Sequence, residues 1–168
     1  MSTPDDLMGE LKTWLLREPR WMVAAAESLT SGRVQGLLGS ISGASEFFCG
    51  GITAYSLEQK VKLLGVNRKT AESADSVSET VAKEMAIGAI QAFGADWAVA
   101  TTGYAETAPE RGVMIPFAWW AVARHHAQDL AVTTGRVECP GLDRIQAQQH
   151  IAEVVLGELL ARVRAARS

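Results

Sequence analysis

Ala26-Glu27-Ser28-Leu29-Thr30-Ser31-Gly32 follows directly on an apolar run, Trp21-Met22-Val23-Ala24-Ala25-Ala26, and leads into a helical pattern carried by Val34, Leu37 and Leu38. A strand that ends in a small polar turn at a helix start sets hydroxyls beside backbone N–H groups that the helix leaves unpaired. The stretch predicts a β-strand, a tight turn and an α-helix. It also predicts a place suited to a phosphate, a carboxylate or a developing oxyanion, and so provides the first candidate site.

Working outward, Asp5 or Asp6 is positioned to cap a first helix with Leu7, Leu11, Trp14 and Leu15 on its apolar face. Ser40 to Ser45 reads as a loop, and Cys49 to Ser56 as a strand whose Gly50 and Gly51 permit close backbone approach. Glu58 to Leu64 reads as a short helix closed by Gly65. Ser78 caps a longer helix, Val81 to Phe93, with Met85, Ala86, Ala89, Ile90 and Phe93 on its buried stripe. Asp96 to Thr102 is a buried strand ending in hydroxyls and Gly103. Pro116 to Arg124 and Leu130 to Glu138 form a hairpin, and a final helix runs from Asp143 to Arg164. Trp119 and Trp120 are adjacent on a strand, so one ring must leave the main core for a subunit contact or a covering helix. This order of elements predicts an α/β fold, a three-layer α/β/α sandwich over a mixed, mostly parallel sheet of about five strands, with residues 1–168 forming one domain. Ligands of such sheets gather at the carboxyl ends of the strands, where Ser28, Ser56 and Thr102 lie.

Composition narrows the function classes. The chain has 168 residues, a hydrophobic fraction of 48% and a charged fraction of 21%, values ordinary for a water-soluble core. A net charge of −3 and the absence of a basic-aromatic patch argue against nucleic acid as a partner. No apolar run reaches the ~20 residues of a membrane span. The acidic amino terminus and two widely spaced cysteines, Cys49 and Cys139, lead us to expect reduced thiols and a cytoplasmic location. No metal or cofactor is expected: the cysteines fit no metal spacing, and His125 and His126 would point to opposite faces of a strand.

Several residues carry two readings each. Ser28 and Thr30 either cap the following helix or serve as nucleophile and anion holders. Tyr55 is either a half-buried strand tyrosine or part of a catalytic group. Lys60 is either a solvated helix lysine or a cation that favours the deprotonated form of a nearby hydroxyl. Together with Ser28, these two could perform acyl transfer without histidine or metal. Thr101, Thr102 and Gly103 either end a strand or complete an oxyanion pocket. Arg144 is either exposed in the first turn of the last helix or clamps a phosphate through its fork of donors.

These residues resemble the CinA carboxy-terminal domain family, the nicotinamide mononucleotide deamidases, from about Leu7 to Leu160. Glu27-Ser28-Leu29-Thr30-Ser31-Gly32 is similar to that family's Glu-Ser-x-Thr-Gly-Gly turn. Gly43 to Gly51, then Ala54-Tyr55-Ser56 and Lys60, is similar to its next block. The resemblance implies an amidohydrolase that converts nicotinamide mononucleotide, or a related small amide, to the acid and ammonia, without metal, commonly as a homo-oligomer. It implies Ser28, Tyr55 and Lys60 as the catalytic group, with Lys60 and Tyr55 relaying the serine proton. Glu27, Thr30, Gly32, Gly51, Thr102, Gly103 and Arg144 would then surround a nucleotide-like substrate. The sequence departs from the family at Gly103-Tyr104-Ala105-Glu106, where the family continues Gly-Ile-Ala-Gly-Pro, and at Gln148, where the family has arginine. Glu106 within ~4 Å of a phosphate would cost on the order of 4 kcal/mol in a partly buried site. These departures favour the alternative of an inactive or re-specialised relative that binds a nucleotide or a protein partner.

Overall fold

The computed structural model describes residues 3–168. Helix α1 (Pro4–Leu15) precedes β1 (Val23–Glu27), α2 (Arg33–Ser40), β2 (Phe48–Thr53), α3 (Leu57–Leu64), α4 (Arg68–Ser73) and α5 (Glu79–Phe93). Then come β3 (Trp97–Tyr104), the hairpin β4 (Phe117–His126) and β5 (Asp129–Glu138), and α6 (Arg144–Arg167). The strands form one five-stranded sheet in the order β2-β1-β3-β4-β5. Strand β1 pairs in parallel with β2 and β3, whereas β4 runs antiparallel to both β3 and β5. Every strand but β4 therefore points the same way, and the expected mixed sandwich is present.

Alternation along the central strands separates two cores. Val23, Ala25, Trp97, Val99, Trp120 and Val122 face one way and pack with the buried residues of α1, α2 and α6. Ala24, Ala26, Ala98, Ala100, Ala121 and Ala123 face the other way and pack with α3, α4 and α5. Side chains of period two can do nothing else in a strand. The alanine face is flat, so α5 lies close across β1, β3 and β4. Trp120 joins the larger-residue core above Gly135 of β5, and Trp119 packs against the alanine side. Both adjacent indoles thus find cover within the chain.

The local signals acted with some shifts. Thr3, not Asp5 or Asp6, caps α1: its hydroxyl accepts from the Asp6 amide at 3.2 Å while Asp6 accepts from the Thr3 amide at 3.0 Å. Proline at the first helical position, Pro4, pulls the start upstream. The helix expected near Thr30 begins at Arg33, because Ser31 and Gly32 adopt left-handed backbone, with φ of 51° and 92°. Helix α4 was not anticipated, although Asn67 caps it through the Thr70 amide at 3.1 Å.

Gly88 on α5 marks the tightest helix contact, since a Cβ there would lie 2.1 Å from the Leu64 carbonyl oxygen that ends α3. On a free helix Gly→Ala stabilises by about 1 kcal/mol. Here the clash reverses the sign, and Gly88→Ala is expected to lower stability by about 1–3 kcal/mol in denaturant unfolding.

Candidate active site

The carboxyl ends of the parallel strands β1, β2 and β3 share one edge of the sheet, and the loops after them bound a cleft of about 470 Å³. Ser28 comes from the turn after β1, Tyr55 from the loop after β2, and Gly103 to Glu106 from the end of β3 and beyond. Lys60 on α3 and Arg144 at the start of α6 complete the lining among the predicted residues. The cleft thus gathers Ser28, Tyr55, Lys60, Gly103 and Arg144.

The β1–α2 turn is built around a buried carboxylate. Glu27 is fully buried, and its Oε2 accepts from the Gly32 amide at 3.0 Å and the Val34 amide at 3.1 Å, while Oε1 accepts from the Gln35 amide at 2.8 Å. The Thr30 hydroxyl donates to the same carboxylate at 2.6 Å. Having spent its only proton there, Thr30 accepts the proton of Thr101 Oγ1, 2.7 Å away. Anion binding at this helix start, expected from its free N–H groups, is therefore taken by the chain's own carboxylate. Neither Ser28 nor Thr30 caps α2. Glu27, Thr30 and Gly32, expected around a substrate, stand behind the cleft wall and hold it. Gly51 also lies away from the cleft, where its missing Cβ makes room for the Gln35 side chain.

What the turn presents is Ser28. Its amide extends the β1–β3 ladder by donating to the Thr101 carbonyl at 3.0 Å, and its carbonyl accepts from the Ser31 amide at 3.1 Å. Buried Gln148 on α6 donates to the Leu29 carbonyl at 2.7 Å and ties the turn from behind. That role was missed, because α6 meets the turn only in the folded chain.

Lys60 is the unusual group. It is 2% exposed, not a solvated helix lysine. Its Nζ donates to the Ser76 carbonyl and to Thr102 Oγ1, each at 3.2 Å. Thr102 gives its own proton to the Ser76 carbonyl at 2.8 Å and so can only accept from the lysine. Two Nζ valences are thereby fixed and the third is left over. Burial lowers the amine to about 8, against a smaller opposing pull from Asp75. Thr102, expected to line the site, is instead buried beneath it as the support of Lys60.

Tyr55 does not join Lys60. It is 54% exposed, and its hydroxyl accepts from Arg144 Nη2 at 2.8 Å. Arg144 Nη1 meets Glu106 Oε1 at 2.5 Å. The proton relay through Tyr55 therefore has no hydrogen-bonded path among the described residues. Beside this pair, Asp75 accepts from the Tyr104 hydroxyl and from Arg111, and these donors hold its carboxyl below the usual range. Asp75 and Ser76 have φ of 49° and 62°, a sparsely populated backbone for residues with a Cβ, often found at functional sites. That conformation presents the Ser76 carbonyl to Lys60. Asp75, Ser76 and Arg111 gave no sequence signal, since only folding brings the α4–α5 turn to the end of β3.

Among the described residues no cluster of His, Cys, Asp and Glu is arranged for a metal, and no helix is long and apolar enough to cross a membrane.

Fold and cleft define a three-layer α/β/α protein with a cleft at the carboxyl ends of its parallel strands. The chain belongs to the CinA C-terminal domain family, whose profile it matches over residues 6–163. A CinA-like protein of Picosynechococcus is 48% identical over 91 residues, covering 54% of this chain and 22% of the relative. One from Chlorobium limicola is 45% identical over 104 residues, covering 62% and 24%. The matched region thus spans about a quarter of the length of these curated relatives. Among solved structures, a CinA superfamily protein from Klebsiella pneumoniae superposes with a TM-score of 0.88 at 25% identity, covering 98% of this chain and 99% of its own. One from Escherichia coli gives 0.83 at 28%, covering 94% and 89%.

The buried carboxylate can be tested directly. Glu27→Gln keeps the shape but turns an amide N–H toward donors, leaving a buried amide unpaired. A loss of about 1–3 kcal/mol in denaturant unfolding is expected.

Proposed function

We propose that this chain is an amidohydrolase that cleaves the carboxamide of nicotinamide mononucleotide, or of a closely related small amide, and releases ammonia. The single observation that carries this reading is Lys60: a desolvated amine in the cleft wall that also holds Ser28, its N–H groups fixed on two acceptors and its pKa brought to about 8. With a neutral fraction that grows as pH approaches 8, such an amine can act as a general base.

In the proposed reaction Ser28 Oγ attacks the amide carbon while its proton passes to Lys60 Nζ. The tetrahedral oxyanion is held by backbone N–H groups after Ser28 or near Gly103. Collapse breaks the C–N bond, and the proton on Lys60 goes to the departing nitrogen, which leaves as ammonia. Water then attacks the acyl carbon, giving one proton to Lys60; the C–Oγ bond breaks, and Lys60 returns that proton to Ser28 Oγ as the carboxylic acid leaves. Water is the only co-reactant. Thr102 and the Ser76 carbonyl orient the amine, and Tyr55 holds Arg144 at the mouth.

The same cleft in a protein that binds without turnover is the rival reading, supported by Glu106 on Arg144. Ammonia release from nicotinamide mononucleotide separates the two. Release by the wild type that falls about 10²–10⁴-fold in Lys60→Met, and is lost in Ser28→Ala, is expected. No release above the Ser28→Ala control overturns the amidase.

The pH profile has a defined sign. Only neutral Lys60 takes the serine proton, so kcat/KM should climb about tenfold per unit well below pH 8 and level off above it. A profile flat from pH 6 to 9 would remove Lys60 from the base role.

A further inference from the structure

Resting on the amidase reading, we propose that the cleft selects a carboxamide ligand without a phosphate, a ribosyl pyridinium carboxamide in preference to its phosphorylated form, and that Glu106 enforces this choice. Six charged residues line the cleft: Lys60, Asp75, Glu106, Glu110, Arg111 and Arg144. They divide by depth. Lys60 is buried in the wall of the cleft that Ser28 also lines, the inner part that the amidase reading assigns to the amide. Asp75, Glu106, Glu110 and Arg111 are exposed and Arg144 is half-buried, so the part of a ligand distal to its amide meets these five.

Both arginines in that outer group are already engaged by acids of the same cleft. Arg144 pairs with Glu106 and Arg111 with Asp75. The remaining nitrogen contact of Arg144 goes to the Tyr55 hydroxyl. Glu110 makes no ion pair among the described residues, so the mouth holds three acids against two arginines. A phosphate dianion arriving there finds no unengaged cation. It must either displace Glu106 from Arg144 or lie beside its carboxylate, and like charges at such range repel. A pyridinium ring carries positive charge and suits a mouth with an excess carboxylate. Tyr55, 54% exposed in the cleft lining, is an aromatic side chain on which such a ring can stack. A ribosyl group is uncharged and asks for no arginine. Screening at an exposed mouth trims the discrimination to about tenfold.

The test compares nicotinamide riboside with nicotinamide mononucleotide by calorimetry on Ser28→Ala protein, so that turnover does not intervene. The expected result is nucleoside binding about tenfold tighter than nucleotide binding at low salt, narrowing as salt rises. Glu106→Gln should retain nucleoside binding within about threefold and bring the two ligands to similar affinity. Equal or tighter nucleotide binding by the Glu106-containing protein overturns the proposal, and so does binding of neither ligand. A Glu106→Gln ratio unchanged from that protein removes Glu106 as its cause. Ammonia release by the wild type, measured in parallel, reports on the amidase alone: preferred nucleoside binding without release would retain the selectivity and discard the chemistry.

Discussion

Three backbone N–H groups and one hydroxyl converge on the carboxylate of Glu27, and the rest of the site is arranged around that knot. The side chain is fully buried, where an unpaired charge would cost several kcal/mol. It is tolerated because the start of α2 supplies oriented amide dipoles, and because Thr30 and Thr101 form a hydroxyl chain that links it to β3. In return the carboxylate holds the end of β1, the turn and the first residues of α2 in one geometry, although Ser31 sits in the left-handed region. The serine offered to the cleft is the residue next to this knot. Its position therefore follows from this buried acid-to-helix interaction together with its backbone hydrogen bonds to Thr101 and Ser31.

A second constraint lies across the cleft. Helix α3 delivers Lys60 into the interior and the left-handed Asp75–Ser76 turn delivers a carbonyl to meet it, with Thr102 completing the cradle. The flat alanine face of the sheet and Gly88 of α5 let this layer come close enough for the contacts to form. Depth then sorts the electrostatics. At the floor, desolvation acts on a lone amine and favours its neutral form. At the mouth, Arg111 pairs with Asp75 and Arg144 with Glu106. One cleft thereby combines a buried amine below with a rim of charged residues above.

Much of the fold was legible because it rests on short-range signals. The apolar run into Glu27-Ser28, the Ser78 cap, Gly65 closing α3 and the Asp143 start of α6 are each decided by residues a few positions apart. So is the alternation that divides Val23 and Ala25 from Ala24 and Ala26 between two cores. The placement of Ser28, Tyr55, Lys60, Gly103 and Arg144 at strand or helix ends on one edge of the sheet also follows from element order.

Partners separated by tens of residues were decided only by the tertiary structure. Glu27, Thr30 and Gly32 look like a ligand cradle in sequence, because nothing local shows that the acid turns back onto the amides of its own helix. Thr102 looks like a lining residue until α3 brings Lys60 over it. Tyr55 and Lys60, five residues apart, look like partners, yet the strand-to-helix turn sends one to solvent and the other inward, and Arg144, distant in sequence, captures the phenol. Glu106 reads as an intruder on a phosphate site, and only the folded chain shows the arginine it has already engaged. Secondary structure and strand-end location depend on neighbours along the chain and can be read from it. Burial, ion pairing and proton affinity depend on neighbours in space, which this sequence acquires only when its layers pack.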